Sequence, residues 1–392
     1  MNHYVKRILQ TVLGLAVIGL AGFLIFGPGI VERGKNAVLP HDPYPVSDQA
    51  AALHKDLIIG DWHADSLLWK RDLTKRASRG QVDIPRLQEG NVAIQMFTAV
   101  TKSPKGLNYD HNLADAPDNI TLLALGQLWP IRTWVSLFER ALYQAEKLHR
   151  FEAAAPNDLK IILTRTDLDA VLESRQNGQN IVGGLLGIEG SHPLEGDMAN
   201  LDRLVSAGYR MFALQHFFDN KLGSSLHGVQ DQGLTEFGRE VVHQVASRSL
   251  ILDLAHSSPQ VVREVLDMTD IPLVISHTGI HSHCKVKRNI SDKLMRGIAD
   301  SGGVVAIGYW ADVTCDASPK GVAGAIKAAV DLLGEDHVSL GSDYDGSIET
   351  AFDTSELAAL THELLIQGMS KAQIGKVMGG NMLRVLRTRL PH

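Results

Sequence analysis

The chain has 392 residues, 44% of them hydrophobic and 21% charged, which suits one large α/β domain or two modest ones. A net charge of −6, with no Lys/Arg run longer than two residues, argues against nucleic acid, whose phosphates need a concentrated basic face. Two cysteines are too few for a thiolate zinc site or a disulfide framework, whereas seventeen histidines are ample for an imidazole site.

Lys6 and Arg7 precede an apolar run from Ile8 to Phe26, interrupted only by Gln10 and Thr11. At about 1.5 Å per residue such a helix reaches roughly 28 Å, near the thickness of a bilayer's hydrocarbon core. Phe23 to Pro28 offers no convincing small-residue cleavage site, so the run reads as a single-pass signal-anchor, with a cleaved secretory signal as the alternative. Positive charge ahead of the run keeps the N-terminus in the cytoplasm and leaves the remainder outside, on the periplasmic side of an inner membrane. Residues 1–30 are then the anchor and 31–50 a linker, within a stretch from Gly27 to Pro45 that holds three glycines and four prolines.

From Asp56 the pattern alternates strand and helix. Strand candidates are Leu57–Asp61, Val92–Phe97, Val182–Ile188, Met211–Leu214, Leu250–Leu254, Leu273–Ser276, Val304–Ile307 and Val338–Gly341. Amphipathic stretches such as Asn200–Ala207, Thr235–Arg248 and Val322–Leu333 separate them. Eight uniformly apolar strands alternating with helices predict a (β/α)8 barrel over residues 51–392. An open doubly wound sheet would normally show a Gly-rich nucleotide turn after an early strand, and none is present. Residues 102–158 are an insertion after the second strand. Its part from Leu122 to Phe151 reads as helical with a break at Pro130, beyond which Trp134, Leu137, Ala141, Ala145 and Leu148 form one apolar face. Ser355 to Leu390 reads as two helices, the second capped by Ser370.

The stretch from Leu250 to Arg288 carries the densest signal. Two short apolar runs each end on a histidine, His256 and His277, with a crossover helix opened by Pro259 between them. A parallel β-α-β unit delivers both strand ends to one rim, where two imidazoles can share a metal ion. Other strands end in the same manner: the first in His63-Ala64-Asp65, the third in Glu189, the fourth in Gln215-His216 and the eighth in Asp343. Any one of these alone is an ordinary loop residue, but six strand ends of eight bearing a histidine or carboxylate predict a metal site. Nitrogen and oxygen donors without thiolate suit zinc best, with manganese or cobalt as the alternatives. Three histidines (His63, His256, His277) and two carboxylates (Asp65, Glu189) exceed the needs of one tetrahedral ion, so two ions bridged by a carboxylate fit better.

With these motifs in view, the sequence resembles the membrane (renal-type) dipeptidase family of binuclear zinc peptidases, within the amidohydrolase superfamily. The matching segments are His63-x-Asp65, Gly187-Ile-Glu189-Gly190, Leu214-x-His216, Asp253-Leu-Ala-His256, Ser276-His277 with Arg288-Asn289, and Gly341-x-Asp343-Tyr-Asp345-Gly346, in family order over roughly residues 55–390. The resemblance implies His63 and Asp65 on one zinc, His256 and His277 on the other, and Glu189 bridging them. It also implies that His216 polarises the scissile carbonyl, Arg288 holds the substrate's C-terminal carboxylate, and Asp343 handles the proton of a bridging water. Trp62 departs from the family, which usually has Gly between the Asp and the His. The insertion and the loop from Phe217 to Gly228 depart as well, and those segments shape the pocket.

The residues carry the same logic by themselves. A water bridging two zinc ions ionises near neutrality and needs no activated side chain. Asp343 beside two cations stays ionised until it accepts that proton and passes it to the leaving amine. His216 can donate to a developing oxyanion, and Arg288 offers a bidentate fork to a free carboxylate, restricting the enzyme to short peptides. The reading is a membrane-tethered zinc dipeptidase with a small peptide substrate. Its alternatives are another amidohydrolase acting on N-acyl amino acids, lactones or β-lactam-like amides, and a non-catalytic membrane-anchored binding protein. His362-Glu363 lacks the second histidine of a zincin helix, and no G-x-S-x-G elbow or phosphate loop occurs. Cys284 and Cys315 fall in neighbouring loops, where an oxidising compartment would let them pair; otherwise they are two free thiols. A homodimer is left open.

Overall fold

The computed structural model describes residues 3–392. Nine parallel strands follow in order: β1 (Ile59–Ala64), β2 (Val92–Val100), β3 (Leu159–Ile161), β4 (Val182–Glu189), β5 (Tyr209–Ala213), β6 (Ile251–Asp253), β7 (Val274–Thr278), β8 (Val304–Ile307) and β9 (Val338–Leu340). Eight of them close into a ring, β1-β9-β8-β7-β6-β5-β4-β2 and back to β1, with helices outside: a (β/α)8 barrel. All eight expected strands are present. The ninth, β3, lies in the segment read as insertion and pairs with the lower half of β4, below the point where β5 joins. Its three residues alternate buried, exposed and buried, too short a run for periodicity to flag.

The strands are buried on both faces because the ring is filled by side chains and ringed by helices. Trp62, Ile94, Met96, Leu185, Met211 and Ile251 form one interior cluster, floored by Met382 and Leu386 of the last helix, Asn381–Arg389. Trp62 is fully buried there, so the residue that departs from the family pattern points into the barrel core rather than toward the rim. A side chain at Gly187 of β4 would have to push its neighbours aside, since a Cβ would come within 2.9 Å of Met211 Cε and 3.1 Å of Thr98 Cγ2.

The insertion is helical over Asn119–Gly126 and Leu137–Ala154. The expected break at Pro130 is wider than one residue, with a short 3-10 turn at Ile131–Trp134 between the helices. Ala141, Ala145 and Leu148 are buried as the periodicity required, but Arg140 is buried beside them. Its guanidinium donates to the carbonyls of Thr133 (2.7 Å), Thr101 (2.7 Å) and Trp134 (3.1 Å), to Thr121 Oγ1 (2.7 Å) and to Asp118. One buried cation thus ties both halves of the insertion to the end of β2. A buried charge is tolerable only when satisfied in this way.

The N-terminal helix runs from His3 to Lys35, and its long apolar stretch, unburied throughout, is sufficient in length and composition to cross a membrane. The sequence reading ends the anchor at residue 30 and opens a linker at 31, whereas the helix continues to Lys35 with Gly27, Pro28 and Gly29 inside it. Tertiary contacts hold those last turns. Glu32 is buried and pairs with Arg71 and with Arg79 (Nε–Oε2 2.6 Å), and Asn36 Oδ1 accepts the Ser347 amide at 2.9 Å. Residues 357–389 contain three helical pieces, Leu357–Ile366, Lys371–Gly375 and Asn381–Arg389, the last two joined by a π turn where two were expected as one; Ser370 caps Lys371–Gly375 as read. Cys284 and Cys315 are joined in a disulfide with Cα atoms 5.6 Å apart, so of the two readings the paired one holds.

Candidate metal centre

Strand ends fix the site. His63 lies in β1 with Asp65 just beyond it, Glu189 closes β4, and His277 lies in β7. His216, His256 and Asp343 each follow their strand (β5, β6, β9) by three residues, so all stand on the C-terminal rim. Arg288 reaches the same rim from the loop after β7. The structure brings all eight sequence-predicted residues together, and all are buried.

Glu189 is the hub. Its Oε1 lies 3.5 Å from His63 Nε2, 3.2 Å from His256 Nε2 and 3.4 Å from His277 Nε2, and its Oε2 lies 3.3 Å from His216 Nε2. His63 Nε2 is also 3.6 Å from Asp65 Oδ1 and 3.9 Å from Asp343 Oδ1. The Nε2 atoms of His256 and His277 are 3.0 Å apart. Donors sharing a tetrahedral zinc at about 2.0–2.1 Å would sit ~3.3 Å from one another, which is the scale seen here. Three sets of donor atoms converge within 4.8 Å: His63, Glu189 and His277; Glu189, His216 and His256; His63, Asp65 and Asp343. His63 Nε2 is buried with no hydrogen-bond partner. Facing lone pairs repel unless a cation lies between them, so the donor set fits a metal ion.

A layer of residues that the sequence reading left without roles aims these donors. Ser276 Oγ donates to Asp253 Oδ2 (2.6 Å), which leaves its lone pairs to His63 Nδ1 (3.1 Å) and His277 Nδ1 (2.9 Å). One hydroxyl therefore holds two rings with the proton on Nδ1 and the Nε2 lone pair turned to the site. Asp253 itself accepts the amides of Ala255 and Ser276, both at 2.9 Å. Asp61 plays the matching part across the ring, accepting the amides of His63 (2.9 Å) and Ser342 (3.0 Å), and so joins the ends of β1 and β9. Thr98 donates to Asp65 Oδ1 at 2.6 Å. The signal for Asp61 and Asp253 was present: an acid inside an apolar run must find donors when buried.

Backbone strain gathers here too. His256 and Asp343 hold φ of 64° and 60°, in the left-handed region that non-glycine residues avoid at a cost of roughly 1–2 kcal/mol each. Burial raises the Glu189 carboxyl, and Asp65 beside it raises it further. Asp343 is pushed up by burial and Asp65 against the pull of His63 and Arg288. Burial would lower His63, but the surrounding Glu189 and Asp65 carboxylates overcome it and raise the ring to about 10, so a proton competes with a metal ion for the Nε2 lone pair. Clustered carboxylates thus favour positive charge at this spot, the electrostatic counterpart of a cation site. His216 is held down at about 4 by burial. Its Nδ1 lies 3.3 Å from the Lys102 carbonyl, so a neutral ring keeps its proton there and donates from Nε2 only as an imidazolium.

Arg288 donates from Nη2 to the His277 carbonyl at 2.8 Å and lies 6.0 Å over the Trp310 ring. It has no carboxylate partner among the described residues. Asn289 steadies the loop beside it, donating to the carbonyls of Cys284 and Val313 (both 2.9 Å), and the disulfide closes the same two loops. Arg288, His216, Asp343 and the Glu189 hub all line one cavity of about 600 Å³.

A family model for membrane dipeptidases, peptidase family M19, matches residues 47–390. The chain belongs to the membrane dipeptidase family. It is a dipeptidase of a metallopeptidase class, and a hydrolase. It is 27% identical over 320 residues to an uncharacterised dipeptidase of Schizosaccharomyces pombe, covering 77% of this chain and 71% of that one. It is 27% identical over 358 residues to a dipeptidase of Aspergillus oryzae, with 84% and 77% covered. In fold it is similar to a metallopeptidase of Rhodobacter sphaeroides solved with a phosphinate mimic of the dipeptide L-Ala-D-Ala, with TM-score 0.67, 22% identity, and 85% and 99% of the two chains covered.

Proposed function

We propose that this dipeptidase is a binuclear zinc enzyme, tethered to the inner membrane by its N-terminal helix, that hydrolyses dipeptides with a free C-terminal carboxylate. His63 and Asp65 would hold one zinc, His256 and His277 the other, and Glu189 would bridge them. Bound there, the two ions would supply Lewis acidity and make a water acidic enough to ionise near neutral pH. The residues do the rest. Arg288 takes the substrate's carboxylate with a bidentate fork and so fixes the scissile bond against the rim. His216 faces the carbonyl oxygen and polarises it; burial disfavours the Nε2 proton this needs, and the negative charge developing on the oxygen favours it. Asp343 takes up the water's proton and delivers it to the leaving amine. The reading also sets the barrel on the periplasmic side, from Lys6 and Arg7 ahead of the apolar run.

The observation that carries this reading is the pairing of the Glu189 hub with a buried guanidinium that has no acid of its own. A buried cation so placed needs an anion, and a substrate carboxylate supplies one. Turnover of a dipeptide compared with its C-terminally amidated form tests it. Strong preference for the free acid is expected. Equal turnover of both would remove the clamp and favour an amidohydrolase acting on N-acyl amino acids or related amides.

A further inference from the structure

The cavity above the metal centre is not made by the barrel alone. Phe23, Gly27, Pro28 and Val31 of the N-terminal helix line it, together with Leu107, Ile120, Leu122 and Leu123 of the insertion. The helix is held in that place: Glu32 pairs with Arg71 and Arg79, and a Cβ on Gly126 would lie 3.9 Å from the Phe23 ring. At about 600 Å³ the cavity is larger than two small residues need, and the part beyond the rim is walled by apolar side chains. Leu122 and Leu107, at its wall, remain 70% and 40% exposed, an apolar lip beside the membrane anchor.

The strand order orients this apolar arm. In the ring of eight, β2 stands diametrically opposite β7. Arg288 follows β7, whereas Val100 at the end of β2, Leu68 and Trp69 after β1, and the insertion line the far side. If the C-terminal carboxylate lies on Arg288 and the scissile bond over Glu189, the amino-terminal residue points into the arm. We propose that the anchor helix is part of the substrate site, and that the enzyme takes dipeptides whose amino-terminal residue carries a large apolar group, either a long side chain or an N-acyl chain. This rests on the dipeptidase reading above and adds the substrate class.

The test uses the full-length enzyme in lipid nanodiscs with three substrates: alanyl-alanine, a dipeptide with an amino-terminal 2-aminododecanoyl residue, and N-dodecanoyl-alanyl-alanine. The wild-type enzyme should favour one of the long-chain substrates over alanyl-alanine by at least ~10-fold in kcat/KM, since each methylene placed in an apolar pocket counts. Which of the two is favoured distinguishes side chain from acyl group. Gly27→Leu, whose Cβ would press on the Phe23 ring at 3.0 Å at the cavity wall, should lower that ratio at least ~10-fold, while Phe23→Ala, which widens the arm, should move the optimum to a longer chain. Turnover of alanyl-alanine with no long-chain preference, or a ratio unmoved by both variants, would overturn the proposal and leave the dipeptidase reading intact. Wild-type enzyme that cleaves none of the three would overturn both.

Discussion

At the rim, six strands each deliver one or two polar residues within three positions of the strand's last residue, and hydrogen bonds with Ser276, Asp253 and Asp61 then aim them. Over the rim, the insertion and the N-terminal helix have no such frame, and single buried charges hold them instead: Arg140 for the one, Glu32 for the other. The comparison teaches that the candidate metal donors sit where the fold repeats, and that the proposed selectivity rests where it does not. Damage to the metal-facing residues of the rim should act on turnover or metal for every substrate; damage at Arg288, or over the rim, should act on which substrates are taken.

The largest effect is expected from Asp343→Asn. It should keep its metal and lose at least ~10²-fold in kcat, the scale of a general acid–base contribution. Steady-state kinetics alongside metal analysis checks this, and near-normal turnover would refute the role. Arg288→Ala should come next, costing about 10²-fold in kcat/KM on free dipeptides and little on their amides, as expected when a buried charge loses its partner. A uniform loss across both would count against the clamp. Ser276→Ala frees the Nδ1 atoms of two histidines at once and should weaken metal affinity by roughly 10–100-fold, measured by competition with a chelator. Unchanged affinity would mean that packing alone aims the rings. The smallest effect should come from Glu32→Gln, which loosens the helix from Arg71 and Arg79. It should leave metal content untouched while lowering the thermal midpoint by a few degrees, the shift expected from about 1 kcal/mol. A loss of metal there would break the division between the two regions.

The same division explains what the sequence made legible. His63, Glu189, His256 and His277 could be found because each stands at the end of an apolar run, and because parallel crossovers place all such ends on one side. The roles of Ser276 and Asp61 were hidden, although Asp61 sits in an apolar strand, since their partners lie in other strands: Ser276 bonds to His63, 213 residues away. Over the rim the signal fails for the same reason. Nothing in the Gly- and Pro-rich stretch after Phe26 marks Glu32 as buried, because its partners Arg71 and Arg79 follow dozens of residues later in an irregular segment. Arg140 lies beside a predicted apolar face, where a charge would ordinarily be read as solvated; only the carbonyls of the surrounding turns reveal it as a clamp.

The most direct test is metal content. Full-length enzyme purified without chelator and analysed by inductively coupled plasma mass spectrometry should carry two zinc ions per chain, and Glu189→Ala should bind less than one. Well under one zinc per chain in the unaltered enzyme, or two retained after Glu189→Ala, would contradict a carboxylate-bridged pair at this rim.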